Sequence, residues 1–160
     1  IVTGGKIDHN KPQVLKLMRA VNDMSDERVK LVVFGSVTDE LKAEFDRNLT
    51  DKVIHIGWRK SEDIYEDFAA AELAAFPGLH SVLWEQAVGM GVPCLFKRIK
   101  GFEHIDLGGN CLFFEKDDEE EYKARIMCAL DQIDEMKQIA REKGMKTFSY
   151  REISKRALEG

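Results

Sequence analysis

Two lysines in a glycine-rich segment are the first side chains in the sequence whose spacing suggests chemistry. Lys6 follows Gly4 and Gly5 directly, and Lys11 comes five residues later, just before Pro12. Glycines let a backbone approach a ligand closely, and two cations placed ahead of a helix can flank a diphosphate. Charged residues are mostly exposed, so two surface lysines in a turn are the simpler alternative for this segment.

The segment from Phe76 to Pro93 carries the most informative pattern. An apolar run enters a Pro-Gly turn, after which Ser81 is placed as the N-cap of a helix. The following amides, beginning with that of Val82, would then face an anion in a cleft. Glu85 lies one turn further on the same face, where a carboxylate can accept hydrogen bonds from ribose hydroxyls. Complementation of the helix dipole explains an acidic residue there equally well.

Two further strand ends carry candidate ligand contacts. Gly35 and Ser36 follow an apolar run, as small residues do near a ribose or phosphate in nucleotide-binding α/β folds. Ordinary turn chemistry is the more frequent reason for such a pair. Trp58 stands between Gly57 and two cations, and its ring is expected either to approach a base or to cover the sheet edge.

These loops need elements that bring them to one place. Short β-branched or apolar runs alternate with helical patterns, which predicts βαβ units and a parallel sheet. Several runs are too uniformly apolar for a one-sided sheet, so helices are expected on both faces. The predicted strands are Ile1 to Thr3, Val29 to Phe34, Val53 to Ile56, Leu73 to Phe76, Val92 to Phe96 and Cys111 to Phe114. The sequence therefore predicts an α/β fold, a Rossmann-like three-layer domain whose ligands bind beyond the carboxyl ends of the strands.

Helical periodicity fills the intervals between the strands. An apolar stripe from Val14 to Val21 predicts the first helix. Ser36 and Asp39 are spaced like a capping box for the second, and the third is expected to start near Ser61. Helices are predicted to continue from Phe114 to the chain end, with a break near Gly144.

Composition sets the broad class of protein. The chain of 160 residues is long enough for one domain with its own core, so residues 1–160 are expected to form a single domain. A net charge of −5 argues against a nucleic-acid partner, and no apolar run approaches the roughly 20 residues of a spanning helix. Since the segment opens as the end of a strand, without a leader, we expect it to begin inside a larger protein.

The histidines and cysteines do not predict a metal site. The four histidines show no metal-ligand spacing, and Cys94, Cys111 and Cys128 form no paired motif. Three cysteines in apolar or helical surroundings suit reduced, buried thiols, which favours the cytoplasm.

In their order along the chain, these loops resemble the donor-binding domain of the family-4 glycosyltransferases with the GT-B fold, the glycosyl transferases group 1. The likeness covers nearly the whole chain. That family opens with a glycine, an arginine and, five residues later, a lysine, and both cations bind the donor diphosphate. Gly5, Lys6 and Lys11 stand at those places, and Lys6 supplies charge without the bidentate fork of arginine.

The last loop departs from the family pattern. The family has two glutamates separated by seven residues there, whereas this segment is about three residues shorter and lacks the first glutamate. His80 and Ser81 stand near its place. Counting back from Pro93 puts Gln86 at the second glutamate, with Glu85, which shares the face of Ser81, as the preferred residue.

One further loop, from Lys100 to His104, matches part of the family's Gly-Gly-x-x-Glu loop beside the donor site. Its carboxylate is Glu103. The resemblance thus adds this residue to the expected donor contacts.

The resemblance implies that this chain is the C-terminal half of a two-domain enzyme. It would bind a nucleotide-diphosphate sugar as donor substrate, with no tightly bound cofactor and no metal. The full-length protein would transfer the sugar, with retention, to a saccharide or lipid-linked acceptor held by an N-terminal acceptor domain. A cytoplasmic location follows, with peripheral contact at the inner face of the membrane left open. Two alternatives stand beside this interpretation: a non-catalytic nucleotide-sugar-binding module, and a sugar-nucleotide epimerase of similar two-domain plan.

Overall fold

Six strands make a single parallel sheet. The structure, a computed structural model, describes residues 1–159 apart from the side chains of Tyr150, Arg156 and Glu159, so Gly160 of the expected domain lies outside the described residues. The strands are β1 (Val2–Gly4), β2 (Leu31–Phe34), β3 (Val53–His55), β4 (Ala74–Phe76), β5 (Cys94–Lys97) and β6 (Cys111–Phe114). Their spatial order is β3-β2-β1-β4-β5-β6, and every paired neighbour is parallel. All six predicted strands are confirmed.

Helices occupy the intervals that periodicity predicted. They are α1 (Gln13–Asp23), α2 (Asp39–Arg47), α3 (Ser61–Ala70), α4 (Leu83–Gly89), α5 (Glu119–Asp131), α6 (Ile133–Ile139), α7 (Met145–Phe148) and α8 (Tyr150–Glu159). A 3₁₀ turn covers Glu103–Ile105, and a π-helical stretch covers Ala140–Gly144.

Two details of the helix prediction were wrong. The capping box of Ser36 and Asp39 does not form, because α2 begins directly after Thr38 and no side chain caps it. The chain also stays helical through Gly144. A Cβ at that glycine would stand 2.2 Å from the carbonyl oxygen of Val88 in α4, so the missing side chain allows the two helices to touch. The helix ends at Ser149 instead, where ψ is 143°.

The sheet is covered on both faces, as the uniformly apolar strands predicted. On one face, residues of α1 and α5 such as Leu17 and Ile126 pack against Val33 and Leu95. On the other face, α3 and α4 contribute Phe68, Trp84 and their neighbours to a second cluster with Phe76 and Phe96. These three layers confirm the Rossmann-like fold.

The first two strands meet at a very close backbone contact. Gly35 has φ 111°, and a Cβ built on it would lie 1.9 Å from the carbonyl oxygen of Gly5. Gly4 is constrained as well, since its Cβ would lie 2.5 Å from the ring of Phe34. By contrast, a Cβ on Gly57, which also has a positive φ of 76°, meets no atom within 4 Å.

Replacing Gly35 separates steric overlap from backbone strain. We expect Gly57→Ala to lower the free energy of unfolding by about 1–2 kcal/mol, the cost of a positive φ for an L-residue. Gly35→Ala adds a backbone overlap to that strain, so we expect a loss of about 4 kcal/mol or failure to fold. Urea denaturation of both variants measures the difference, and equal losses would contradict the close contact.

The three cysteines do not share one environment. Cys94 and Cys111 are buried and lie opposite each other on β5 and β6, whereas Cys128 is exposed on α5. The expectation of three buried thiols was therefore wrong for Cys128, which lies on the exposed side of α5. Burial raises the pKa of Cys111 to about 12 and also raises that of Cys94.

This difference predicts the thiol reactivity of the native protein. Only a thiolate attacks a disulfide reagent. At pH 8 we expect one fast-reacting thiol per chain with Ellman's reagent, from Cys128, and three after denaturation. Cys128→Ser should remove the fast phase, and any fast-reacting thiol that remains in that variant would show that the sheet opens readily.

Candidate functional site

The order of the strands places a crevice between β1 and β4. The chain runs from β1 outward to β2 and β3, and then returns to β4 on the other side of β1. The loops after β1 and β4 therefore diverge, and open α/β sheets bind their ligands where such loops separate. The segments predicted to carry chemistry, residues 5–12 and 77–82, are these two loops.

Lys11 bridges the two loops at this point. A Cβ on Gly5 would lie 3.7 Å from the Lys11 Nζ atom and 3.3 Å from the side chain of Leu83. A Cβ on Gly78 would lie 3.4 Å from Lys11 Cγ. Among the described residues, no side chain forms a hydrogen bond or ion pair with this ammonium group. The crevice thus holds a positively charged group, the Lys11 ammonium, that is available to bind a ligand.

Lys6 is held by the backbone on either side of it. The Gly5 amide donates to Phe34 (3.1 Å), and the Ile7 amide donates to Ser36 (2.8 Å), so the pairing of the first two strands continues into their loops. Ile7 is fully buried, which leaves the intervening Lys6 side chain outside, 69% exposed.

Asp8 takes up part of the positive charge of this loop. Its carboxylate lies 3.7 Å from the Lys6 ammonium. A hydrogen bond from the Asn10 amide, followed by the nearby positive charges, lowers the pKa of Asp8. Lys6 therefore has an ion-pair partner within its own loop, and for Lys11 the described residues show no such pair.

A small cavity of about 200 Å³ opens beside these residues. It is lined by Gly5, Lys6, Phe34, Gly35, Ser36, Trp58, Arg59, Ile64 and Leu83. Arg59 is engaged in a two-point ion pair with Asp67 (2.8 and 3.0 Å), whereas the Trp58 side chain is largely free, with 71% of the residue exposed. The structure brings together four of the predicted contact residues here, and it adds an aromatic surface to them.

His55 shapes this cavity from within the sheet. Its Nε2 atom donates to the carbonyl oxygen of Gly35 (2.9 Å), and its ring packs edge-on against Phe45. The Gly35 amide in turn donates to the Gly57 carbonyl (2.7 Å). His55 therefore packs within the sheet, and its hydrogen bond orients the backbone of Gly35.

The start of α4 differs from the prediction. The helix begins at Leu83 with Val82 before it, and no side chain caps it. The N-cap assignment of Ser81 was therefore wrong, because the turn closes one residue later, where the Trp84 amide donates to the Ser81 carbonyl (3.0 Å).

Glu85 lies between two imidazoles. Its Oε1 atom is 2.8 Å from His80 Nε2 and 3.1 Å from His104 Nε2, and its Oε2 atom is 3.0 Å from His80 Nε2. The His80 ring packs against Phe102 and Trp84, with centroid distances of 4.3 and 5.2 Å. We call His80, Glu85 and His104 the imidazole cluster.

Sequence reasoning selected two members of this cluster and missed the third. His104 belongs to the loop after β5, where the partial family match drew attention to Glu103. The Glu103 carboxylate instead accepts a hydrogen bond from the Gly101 amide of its own loop (2.9 Å). The available signal for His104 was its position after a strand neighbouring β4, which brings the two loops to the same edge.

Gln86 faces a different surface from the lysines. Its Nε2 atom donates to the Tyr65 hydroxyl (3.2 Å) in an apolar groove of about 390 Å³. The groove is bordered by α3, α4, α7 and α8, and Glu85 stands at its margin. The two candidates for the family's second glutamate thus border one groove but have different hydrogen-bond partners, the Tyr65 hydroxyl for Gln86 and two imidazoles for Glu85.

Other surface features do not match an anion site. A wide cavity of about 730 Å³ borders the acidic start of α5 at Asp117 to Glu121, where carboxylates would repel a diphosphate. Among the side chains that the structure describes, no group of three or more His, Cys, Asp or Glu residues is arranged to hold a metal ion. No described helix is both long and apolar enough to cross a membrane.

Comparison with known proteins identifies a family. A model described as glycosyl transferases group 1 matches residues 1–132. No match was found among curated protein sequences.

Several solved structures share the fold. The catalytic domain of cholesterol-α-glucosyltransferase from Helicobacter pylori is 16% identical with a TM-score of 0.73, and the match covers 91% of this chain and 94% of that one. Anabaena Alr3699/HepE in complex with UDP is 20% identical with a TM-score of 0.76, covering 99% and 47%. Sucrose-phosphate synthase from Thermosynechococcus elongatus is 16% identical with a TM-score of 0.80, covering 99% and 43%. The chain thus spans just under half the length of the last two proteins.

Proposed function

Because the chain belongs to the glycosyl transferases group 1, we propose that it is the donor-binding domain of a glycosyltransferase and binds a nucleotide-diphosphate sugar. The observation that carries this proposal is the Lys11 ammonium, which lies between the loops after β1 and β4 without an ion-pair partner in the described chain. An anionic group is the natural partner for such a charge. The UDP named in the HepE structure is one such donor-derived ligand.

The diphosphate lies against Lys11 in this proposal, with Lys6 as a second, more solvated cation. When the sugar leaves, negative charge develops on the diphosphate, and preorganised positive charge stabilises it. Lys11 is preorganised because its side chain runs along Gly78 and ends over Gly5. The amides of Ser81 and Val82 approach the diphosphate from the other loop. The reaction then needs no divalent metal.

The nucleoside occupies the cavity next to Lys6. Gly35 and Ser36 provide backbone and a hydroxyl for the ribose, and the exposed Trp58 ring provides a surface on which a base can stack. Since Arg59 is bound to Asp67, the aromatic ring rather than the guanidinium makes this contact. Glu103, after β5, remains a proposed donor contact from the family resemblance, and its carboxylate also accepts a hydrogen bond from the Gly101 amide.

The remaining parts of the reaction lie outside this chain. Residues 1–160 act as one domain, and an N-terminal domain of the same protein supplies the acceptor, a saccharide or a lipid-linked sugar. Transfer proceeds with retention, and the isolated domain binds donor but transfers little. The reaction takes place in the cytoplasm, with peripheral contact at the membrane where the acceptor carries a lipid.

One observation favours a second candidate, a non-catalytic nucleotide-sugar-binding module. The Glu85 carboxylate is already bonded by two imidazoles, so it is less available for direct contact with substrate. Assays of the full-length protein with sugar acceptors distinguish the two. Transfer of sugar supports the enzyme, whereas donor binding without transfer or hydrolysis supports the module.

Replacing Lys11 tests the proposed diphosphate contact. Calorimetric titration with UDP, GDP and ADP should reveal selective binding of one base. Lys11→Ala should weaken binding of that diphosphate about 10- to 100-fold, which corresponds to the loss of one charge-assisted contact. The affinity for the matching nucleoside should stay nearly unchanged. Lys42→Ala on the outer face of α2 is the matched control. Equal losses for diphosphate and nucleoside would refute the assignment.

Trp58 provides a separate optical test of the base position. The chain has two tryptophans, and Trp84 is fully buried. We expect the diphosphate that binds to quench the fluorescence of Trp58, and Trp58→Phe to remove this quenching while keeping an aromatic surface. Trp58→Ala should weaken binding by about 1 kcal/mol or more, the contribution of a stacked base. Undiminished quenching in Trp58→Phe would show that the response comes from Trp84 and that the base lies elsewhere.

A further inference from the structure

The imidazole cluster joins three parts of the chain around one carboxylate. His80 comes from the loop after β4, Glu85 from α4, and His104 from the 3₁₀ turn after β5. Both rings approach the carboxylate through Nε2. The cluster therefore lies at the carboxyl edge of the sheet, on the β4 side of the crevice that holds Lys11.

The bonding pattern determines which nitrogen of each ring carries the hydrogen. An ionised carboxylate only accepts hydrogen bonds, so Nε2 must donate in both histidines. In a neutral imidazole the other nitrogen then bears a lone pair. Glu85 thus selects the tautomer in which Nδ1 of His80 and of His104 is an acceptor, as carboxylates do for histidines that bind metals.

The two rings differ in accessibility. The His80 side chain is 28% exposed and is fixed by its contacts with Phe102 and Trp84. The His104 side chain is 49% exposed, with Phe102 and Phe148 about its edge at centroid distances of 6.1 and 6.0 Å. His104 is therefore the better placed of the two to meet a ligand, while its bond to Glu85 limits rotation of the ring.

We propose that Glu85 is a positioning residue that holds His104 so that its Nδ1 atom accepts a hydrogen bond from a hydroxyl of the donor's sugar. His80 donates a hydrogen bond to the same carboxylate from the more buried side and so fixes its position. The sugar is the part of a nucleotide-diphosphate sugar that offers hydroxyl donors beyond the diphosphate, and Nδ1 is an uncharged acceptor suited to them. This assignment rests on the proposed function, since it requires the donor to lie in the crevice.

The test compares each diphosphate with its sugar conjugate. UDP and UDP-glucose form one pair of probes, and GDP and GDP-mannose form the other. His104→Gln keeps a donor near the Nε2 position but removes Nδ1. Glu85→Gln replaces a group that only accepts with an amide that both accepts and donates, so it no longer imposes one tautomer on both rings. In both variants we expect the affinity for the sugar conjugate to fall about fivefold, the ratio equivalent to one hydrogen bond of about 1 kcal/mol. The affinity for the diphosphate alone should change less than twofold. Glu135→Gln, an exposed carboxylate on α6, is the matched control.

Nitrogen NMR of the histidine rings gives a signal that would not respond to the sugar if the imidazole cluster had a purely structural role. In the free protein, both rings should show the Nε2–H tautomer, and the sugar conjugate should shift the Nδ1 signal of His104 while the diphosphate alone should not. Glu85→Gln should give mixed tautomers.

The possible outcomes separate the two levels of the proposal. If the diphosphates bind but His104→Gln leaves the sugar conjugate unaffected, the positioning role is overturned while the proposed function stands. An equal loss for diphosphate and conjugate also overturns it, because the imidazole would then contact phosphate. If no diphosphate binds to the folded protein, both the proposed function and this assignment fail.

Discussion

The contact between Gly5 and Gly35 is the constraint on which the site depends. The carbonyl oxygen of one residue occupies the place where a side chain of the other would stand. This contact lets the pairing of β1 and β2 continue beyond the ends of the strands, through the bond from Ile7 to Ser36. As a result, the loop that carries both lysines has a defined path above the sheet. A larger residue at Gly35 would separate the loops and remove the cavity beside them.

The reversal of strand order provides the second condition. The strand β4 lies on the side of β1 opposite to β2. The loop after β4 therefore faces the lysine loop across a crevice. Lys11 lies along Gly78 in this second loop and reaches over Gly5 in the first. The Lys11 side chain thus contacts the loops on both sides of the crevice. Lys6 lies close to Asp8 and its side chain is largely exposed, so the carboxylate and water screen its charge.

Electrostatic partners divide the charged residues around the crevice into two groups. Arg59 is bound to Asp67, and Glu103 is bound to the backbone of its own loop, so these side chains shape the surface. Glu85 acts on its surroundings through two histidines from different loops. This arrangement links β4, α4 and the turn after β5. The carboxylate that looked like a direct ligand contact in the sequence is in fact the centre of a hydrogen-bonded cluster.

The sequence by itself determined the fold class and the loops that matter. Alternation of apolar strands with helical stripes gave six strands in the right places, because burial on both faces imposes a uniform apolar pattern that survives in the sequence. The glycines and lysines of the first loop were visible for a similar reason, since their spacing is local. Tertiary structure alone decided the start of α4 after Val82, the position of Gln86 beside Tyr65, and the pairing of Glu85 with His104. Those features depend on which loops meet across the sheet and on the exact placement of side chains. Neither of these two factors produces a periodic pattern in the sequence.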